Sequence, residues 1–293
     1  MRIILIGSVN FSAKTLQTLI TLNANIVGVC TLKESKLNSD FVDLSAICEE
    51  YLIPYLYVDD INSTKTSNWI TLLKPDIIFC FGWSRLLNAS VLQLAPKGTI
   101  GFHPAPLPKN RGRHPITWAL VLGLNETAST FFFMDSGIDS GDILSQRMIE
   151  IGDDDDAGSL YEKIIGNAIE QIKEFMPLLE SDTHSRCRQD DSLTNYWRKR
   201  GPVDGVIDWR MSSRSIHNLV RGLAKPYIGA SFIYRAKEFK VWKTELHDDL
   251  AVNIEPGKVL MQTKKGPVVK CGEGAICLTL TDPKFEPNEG DYL

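Results

Sequence analysis

The sequence predicts an α/β chain, with a doubly wound parallel sheet followed by a smaller open β-barrel. Three observations support this. Through the first 175 or so residues, short runs rich in Ile, Val and Phe alternate with segments whose apolar residues recur at helical spacing. Beyond residue 212 the pattern becomes one of short strands separated by Gly and Pro turns. The charge balance changes between the two: residues 1–194 carry 16 basic against 24 acidic side chains, or −8, whereas residues 195–293 carry 16 against 12, or +4. The boundary falls near residue 190, where the polar stretch 181–191 has no periodicity, giving domains 1–190 and 195–293.

In order along the chain, strands are expected at 3–6, 26–32, 76–81, 99–102 and 130–134. Between them, helices are expected at 14–22, 42–51, 67–73 and 116–122. A longer helix is expected over 159–179. The acidic run 153–156 just ahead of it reads as carboxylates complementing a helix N-terminus, with a cation site as the sharper alternative. In the C-terminal part, 212–223 places Ile216, Leu219, Val220 and Leu223 on one helical face. Strands follow at 230–234, 239–242, 258–262, 267–270 and 275–280.

With 293 residues, the chain is long enough for a sizeable core. Its 43% apolar and 23% charged residues are ordinary for a soluble protein, and a net charge of −4 advertises neither nucleic acid nor membrane as a partner. No apolar run approaches the roughly 20 residues of a membrane helix. The opening run at residues 2–6 is too short for a signal-peptide core. Six cysteines are scattered with no Cys-x-x-Cys spacing, so no metal site is expected and the thiols read as reduced core residues of a cytoplasmic protein. The first loop, Gly7-Ser8-Val9-Asn10-Phe11, is not a Gly-x-Gly-x-x-Gly turn, which disfavours a nicotinamide dinucleotide.

The chemistry is concentrated in residues 101–142. His103 ends an apolar run and is followed by Pro104, Pro106 and Pro108, which cannot continue a helix. Asp139 stands 36 residues later in a loop bracketed by Gly137 and Gly141. Strand ends of one parallel sheet can bring such residues together, at the edge where ligands of doubly wound sheets bind. A His–Asp pair there is equipped to move a proton.

The whole block resembles the signature of the enzymes that transfer a formyl group from 10-formyltetrahydrofolate. That pattern runs Asn-x-His, a Leu-Pro and Arg-Gly loop, then Asp-x-Gly-x-Asp-x-Gly-Asp. Here His103, Leu107-Pro108, Arg111-Gly112 and the run from Asp135 to Asp142 match it, while Gly101 replaces the family asparagine. The resemblance implies a Rossmann-like catalytic domain and, from the runs around residues 256–260 and 269–276, an OB-like C-terminal domain. It implies 10-formyltetrahydrofolate as cosubstrate, with His103 and Asp139 catalytic. It also implies that Phe81, Gly82, Trp83, Ser84, Arg85 and Leu86, together with Asp135, Gly137 and Asp142, hold the folate. Asn110, Arg111 and Arg113 are expected at the substrate, because arginines in a rigid loop suit phosphate. Gly101 removes a side-chain amide from the place where the oxyanion forms.

Among substrates, methionyl-tRNA enzymes of this family carry a basic insertion after the second strand. Residues 31–40 here hold two lysines against two acids, which cannot supply a phosphate-binding surface. Residues 79–87 and the run from Arg198 to Trp209 look closer to the sugar N-formyltransferases. The resemblance thus implies a small-molecule, nucleotide-linked amino-sugar substrate in surface polysaccharide synthesis, with no nucleic acid or membrane partner, and a homodimer; the alternatives are a methionyl-tRNA formyltransferase or, with Gly101 as its mark, a non-catalytic folate- or nucleotide-sugar-binding relative.

Overall fold

The computed structural model describes residues 1–35, 38–247 and 253–293. They pack as two compact units. One comprises residues 1–112, 127–149 and 162–197; the other comprises 113–126, 150–161 and 198–293.

In chain order the first unit holds β1 (Arg2–Ile6), α1 (Asn10–Thr21), β2 (Asn25–Thr31), α2 (Ser45–Glu50) and β3 (Tyr55–Tyr57). It continues with α3 (Thr64–Leu72), β4 (Ile77–Cys80), α4 (Ala89–Leu92), β5 (Thr99–His103) and β6 (Arg111–Gly112). Helix α5 (Pro115–Val121) belongs to the second unit. The chain then forms β7 (Glu126–Phe133), β8 (Ile143–Glu150), α6 (Ala157–Glu180) and β9 (Tyr196–Trp197). The main sheet has the order β3-β2-β1-β4-β5-β7-β8. Its first five strands are parallel, as the alternation of strand and helix predicts. The central strands β1 and β4 are buried on both faces, apart from Arg2, which suits their near-continuous apolar runs. Strand β7 runs antiparallel to β5, so the sheet is mixed rather than wholly parallel.

Several elements depart from expectation for local reasons. α1 starts four residues earlier than the apolar spacing suggested. Its first turn is held by Ser12, whose Oγ accepts from Val9 N and donates to the Phe81 carbonyl across the sheet end. α3 starts three residues early because Ser63 caps it, its Oγ accepting from Thr66 N. β3 has only three residues and β8 is a half-exposed edge strand, so neither gives a clear apolar run. The acidic run ahead of α6 forms a cap, in which Asp156 accepts from Ser159 N, and Asp155 from Gly152 N and Ser159 Oγ.

The second unit contains α7 (Ser213–Gly222), β10 (Ala230–Tyr234), β11 (Lys237–His247), β12 (Val259–Gln262), β13 (Pro267–Lys270) and β14 (Ala275–Asp282). The strands form an antiparallel sheet of order β10-β11-β14-β13-β12. Ser212 caps α7, which buries Ile216, Leu219 and Val220 in a core shared with Trp209, Phe232, Phe239 and Phe285. α5 packs closely on α7: a Cβ at Gly222 would lie 3.0 Å from Val121 Cγ2.

Candidate active site

β5 delivers the histidine. Side chains alternate along a strand, so Gly101 and His103 point to the same face, next to β4 on one side and β7 on the other. The following Pro104-Ala105-Pro106-Leu107-Pro108 loop has few amide hydrogens of its own. Its carbonyls are tied down instead: Pro104 accepts from Thr127, Ala105 from Thr130 and Leu107 from Gln146. The loop then turns at Asn110, whose φ of 63° is left-handed. That turn presents the Asn110 carbonyl to His103 Nε2 at 2.8 Å. A carbonyl oxygen can only accept, so Nε2 carries the proton. The other ring nitrogen, Nδ1, faces Asp139 Oδ2 at 3.6 Å, beyond a direct hydrogen bond. With Nε2 protonated, the neutral ring presents its Nδ1 lone pair toward the carboxylate.

The loop carrying Asp139 has a defined internal structure. Asp135 Oδ1 accepts from Gly137 N and Ser140 Oγ, and Phe133 N donates to the Asp142 carbonyl. A Cβ at Gly141 would sit 1.7 Å from the Phe133 carbonyl oxygen, so only glycine fits there. Asp139 itself is left-handed, with φ of 51°. Its Oδ2 accepts from Gly112 N at 2.8 Å. The structure thus brings His103, Asp139, Asn110 and the Arg111–Gly112 strand together within the first unit. His103 is 5% exposed.

Gly101 is tightly enclosed. A Cβ there would lie 2.8 Å from Met134 Cγ, and 3.1 Å from both Met134 Sδ and Phe132 Cε1. The space that a side chain would need is occupied by apolar atoms.

The segment after β4 lies at the same sheet edge. Phe81 is fully buried, stacked on Phe79 at 5.0 Å. Gly82 has φ of 73°, and a Cβ there would meet Val9 and Ser12. Ser84 Oγ donates to Asn38 Oδ1, Arg85 reaches the Asp59 carbonyl, and Leu86 is 79% exposed. Trp83 Nε1 is buried without a hydrogen-bond partner. A cleft of about 530 Å³ is lined by Met134, Asp135, Gly137, Asp142, Arg186 and Arg188. Among the described residues, no group of three or more His, Cys, Asp or Glu side chains converges as a metal site would.

The arginines separate. Arg111 is only 2% exposed, with its guanidinium committed to Gln189, Asp191 and Tyr196. The expected substrate contact therefore does not fall on Arg111, because its donors point into the protein. Arg113 lies in the second unit and is exposed. Beside it, His114 is held below its usual pKa by burial and by the charges of Arg113, Arg200 and Lys199. Sequence reasoning missed Gln189 and Asn195. The second of these accepts from Asn110 N through its side chain. Both sit where the chain shows no apolar period, and polar spacing alone gave no signal for them. Three buried thiols, Cys30, Cys48 and Cys80, are pushed up to about 12, chiefly by burial, so they stay protonated.

The chain matches two family models, "Formyl transferase" over residues 1–174 and "Formyl transferase, C-terminal domain" over residues 201–285. The chain is 32% identical to the methionyl-tRNA formyltransferase of Desulforamulus reducens over 282 residues, 95% of this chain and 89% of that protein. It is 34% identical over 197 residues to the bifunctional polymyxin resistance protein ArnA of Wigglesworthia glossinidia brevipalpis, 67% of this chain and 30% of that protein. A similar fold occurs in the N-formyltransferase from Helicobacter canadensis, solved with folinic acid and dTDP-3-aminofucose. It has a TM-score of 0.72 at 17% identity, covering 94% of this chain and 98% of that one. Both halves of the chain, and the identity to curated relatives along nearly all of it, lead to one assignment: the chain belongs to the formyl transferase family and is a formyltransferase.

Proposed function

We propose that the enzyme transfers the formyl group of 10-formyltetrahydrofolate to the amine of a nucleotide-linked amino sugar, in surface polysaccharide synthesis. In this reading it works in the cytoplasm as a homodimer, with no nucleic-acid partner. Residues 1–190 form the catalytic domain and 195–293 the OB-like domain. A neutral amine attacks the formyl carbon, a C–N bond forms, and the carbonyl oxygen becomes an oxyanion. The bond to folate N10 then breaks as that nitrogen takes a proton. His103 and Asp139 handle the amine proton. The observation that supports this is their arrangement: Nε2 is committed to the Asn110 carbonyl, which leaves the Nδ1 edge facing Asp139 Oδ2 at 3.6 Å as the place where a proton can be exchanged. Residues 81–86 with Asp135, Gly137 and Asp142 hold the folate, and Asn110 and Arg113 serve the acceptor. Arg111 supports the loop.

The sugar assignment rests on residues 31–40, which offer two lysines against two acids where a tRNA-binding insertion needs an excess of positive charge. Lys36 and Leu37 of that loop lie outside the described residues. A second reading, methionyl-tRNA formylation, is favoured by the 32% identity over 95% of the chain to an enzyme of that name. The test is a direct comparison: formyl-folate with UDP- and dTDP-linked amino sugars in one set of assays, and with charged initiator tRNA in another. Formylated sugar nucleotide supports the proposal. Formyl-methionyl-tRNA without formylated sugar overturns it.

A further inference from the structure

Arg111 and Gln189 are buried polar side chains that the reaction as described does not use. Arg111 is 2% exposed and Gln189 is 6% exposed. Burial of a guanidinium is tolerated only when its N–H groups are engaged. Here Arg111 donates from Nε and Nη2 to Gln189 Oε1, at 3.2 and 2.7 Å. Nη2 also donates to Asp191 Oδ1 at 2.9 Å, and Nη1 to the Tyr196 hydroxyl at 3.3 Å. The other end of the Gln189 amide donates to the Asp139 carbonyl at 2.8 Å and to the Gly141 carbonyl at 2.7 Å. A primary amide has two N–H donors and two acceptor lone pairs, and all four are used. Its orientation is unambiguous, because carbonyls can only accept and a guanidinium can only donate.

These bonds meet at the residue that faces the histidine. Asp139 sits at φ of 51°, a conformation that a non-glycine residue keeps only when its surroundings enforce it. Its backbone carbonyl is held by Gln189. Its carboxylate is held by Gly112 N, one residue along the chain from Arg111. The short strand Arg111–Gly112 therefore grips Asp139 at both ends, by its own amide and through Gln189. It pairs in turn with Tyr196–Trp197.

We propose that Gln189, fixed by the buried guanidinium of Arg111, is a positioning residue that sets the Asp139 carboxylate relative to His103. The consequence for rate rests on the formyl-transfer reading above, whereas the consequence for the His103 ring does not.

The test uses the full chain with Gln189→Glu, Gln189→Leu and Arg111→Lys. Gln189→Glu keeps the volume and the Arg111 contact but turns oxygens toward the Asp139 and Gly141 carbonyls. Gln189→Leu removes the polar group, and Arg111→Lys keeps the charge but loses the fork. All three should lower kcat by about 10- to 100-fold, the scale of a roughly 1 Å misplacement. The KM for formyl-folate should stay within about threefold, since positioning acts on the chemical step. The pH–rate profile should move along the pH axis, whereas loss of folded enzyme would only scale it down. In parallel, ring 15N spectra, with the His103 signals assigned by their loss in His103→Ala, should show those signals displaced in each variant. Should Gln189→Leu fail to fold, Gln189→Glu carries the test. Unchanged His103 signals in a folded Gln189→Glu protein overturn the proposal, as does a kcat within twofold of wild type. If the wild-type enzyme formylates none of the amines offered, the function reading has failed, and the 15N comparison still decides this one.

Discussion

Replacing Gly101 with asparagine would restore the amide typical of the family at the point where this chain lacks it, and the structure says what that would cost. A Cβ at position 101 would sit 2.8 Å from Met134 Cγ, where ordinary contact begins near 3.4 Å. Met134 would have to retreat by about 0.6 Å before the rest of the side chain is placed, and Phe132 Cε1, at 3.1 Å, leaves little room on the other flank. Methionine is adaptable, so the site can give, but overpacking a close-packed position costs about 1–3 kcal/mol. For a chain of this size that is a fall in Tm of roughly 2–10 °C. The expected outcome is a less stable enzyme whose kcat does not exceed wild type, because the space the amide needs is already filled. Gly101→Ala should reproduce part of the stability loss without the amide. Gly101→Asn combined with Met134→Ala should recover part of the stability by opening room. Thermal unfolding and steady-state kinetics on the four proteins suffice. A Gly101→Asn enzyme with unchanged Tm and a kcat raised toward 10²-fold, the value of one oxyanion donor, would refute this reasoning.

The remaining expectations are briefer. His103→Ala and Asp139→Asn should each lower kcat by about 10² or more with little change in folate affinity, measured in single-turnover assays. Filter binding at physiological salt should show no sub-micromolar, steeply salt-dependent association with initiator tRNA. His217 is held below its usual pKa by burial, then by Arg221 and Arg214, and its Nδ1 lies 3.0 Å from Thr244 Oγ1. Its folded form favours the neutral ring, so its stabilising contribution is complete above about pH 6.5 and is lost as pH falls below that. His217→Gln should therefore flatten the acid side of a Tm–pH curve without abolishing the slope, since His114 and His184 are depressed as well.

Much of this architecture was legible because it is written in apolar runs. The parallel strands β1, β2 and β4 are short segments dominated by Ile, Val and Phe, β5 carries Ile and Phe, and each lies within a residue or two of its expected place. Elements held by other means were not legible. β8 alternates weakly at an exposed edge, β3 is three residues long, and the start of α3 depends on a serine hydroxyl rather than on apolar spacing. The same division holds at the site. His103 and Asp139 stood out by motif, and the structure places them together. The burial of Arg111 did not stand out, because a loop arginine looks the same in sequence whether it faces solvent or a buried glutamine 78 residues away. What fixed its role was a long-range hydrogen bond, and such bonds leave no local pattern.

The cysteines offer a practical handle. Five of the six are buried, and Cys187 alone is exposed. It lies two residues before Gln189, and its backbone exchanges hydrogen bonds with Ile143, just past the loop that carries Asp139. A maleimide dye added to the native enzyme should therefore attach at one place without any engineered cysteine. That single fluorophore would report on the segment that bears Gln189, and on whether folate or acceptor changes its surroundings during turnover.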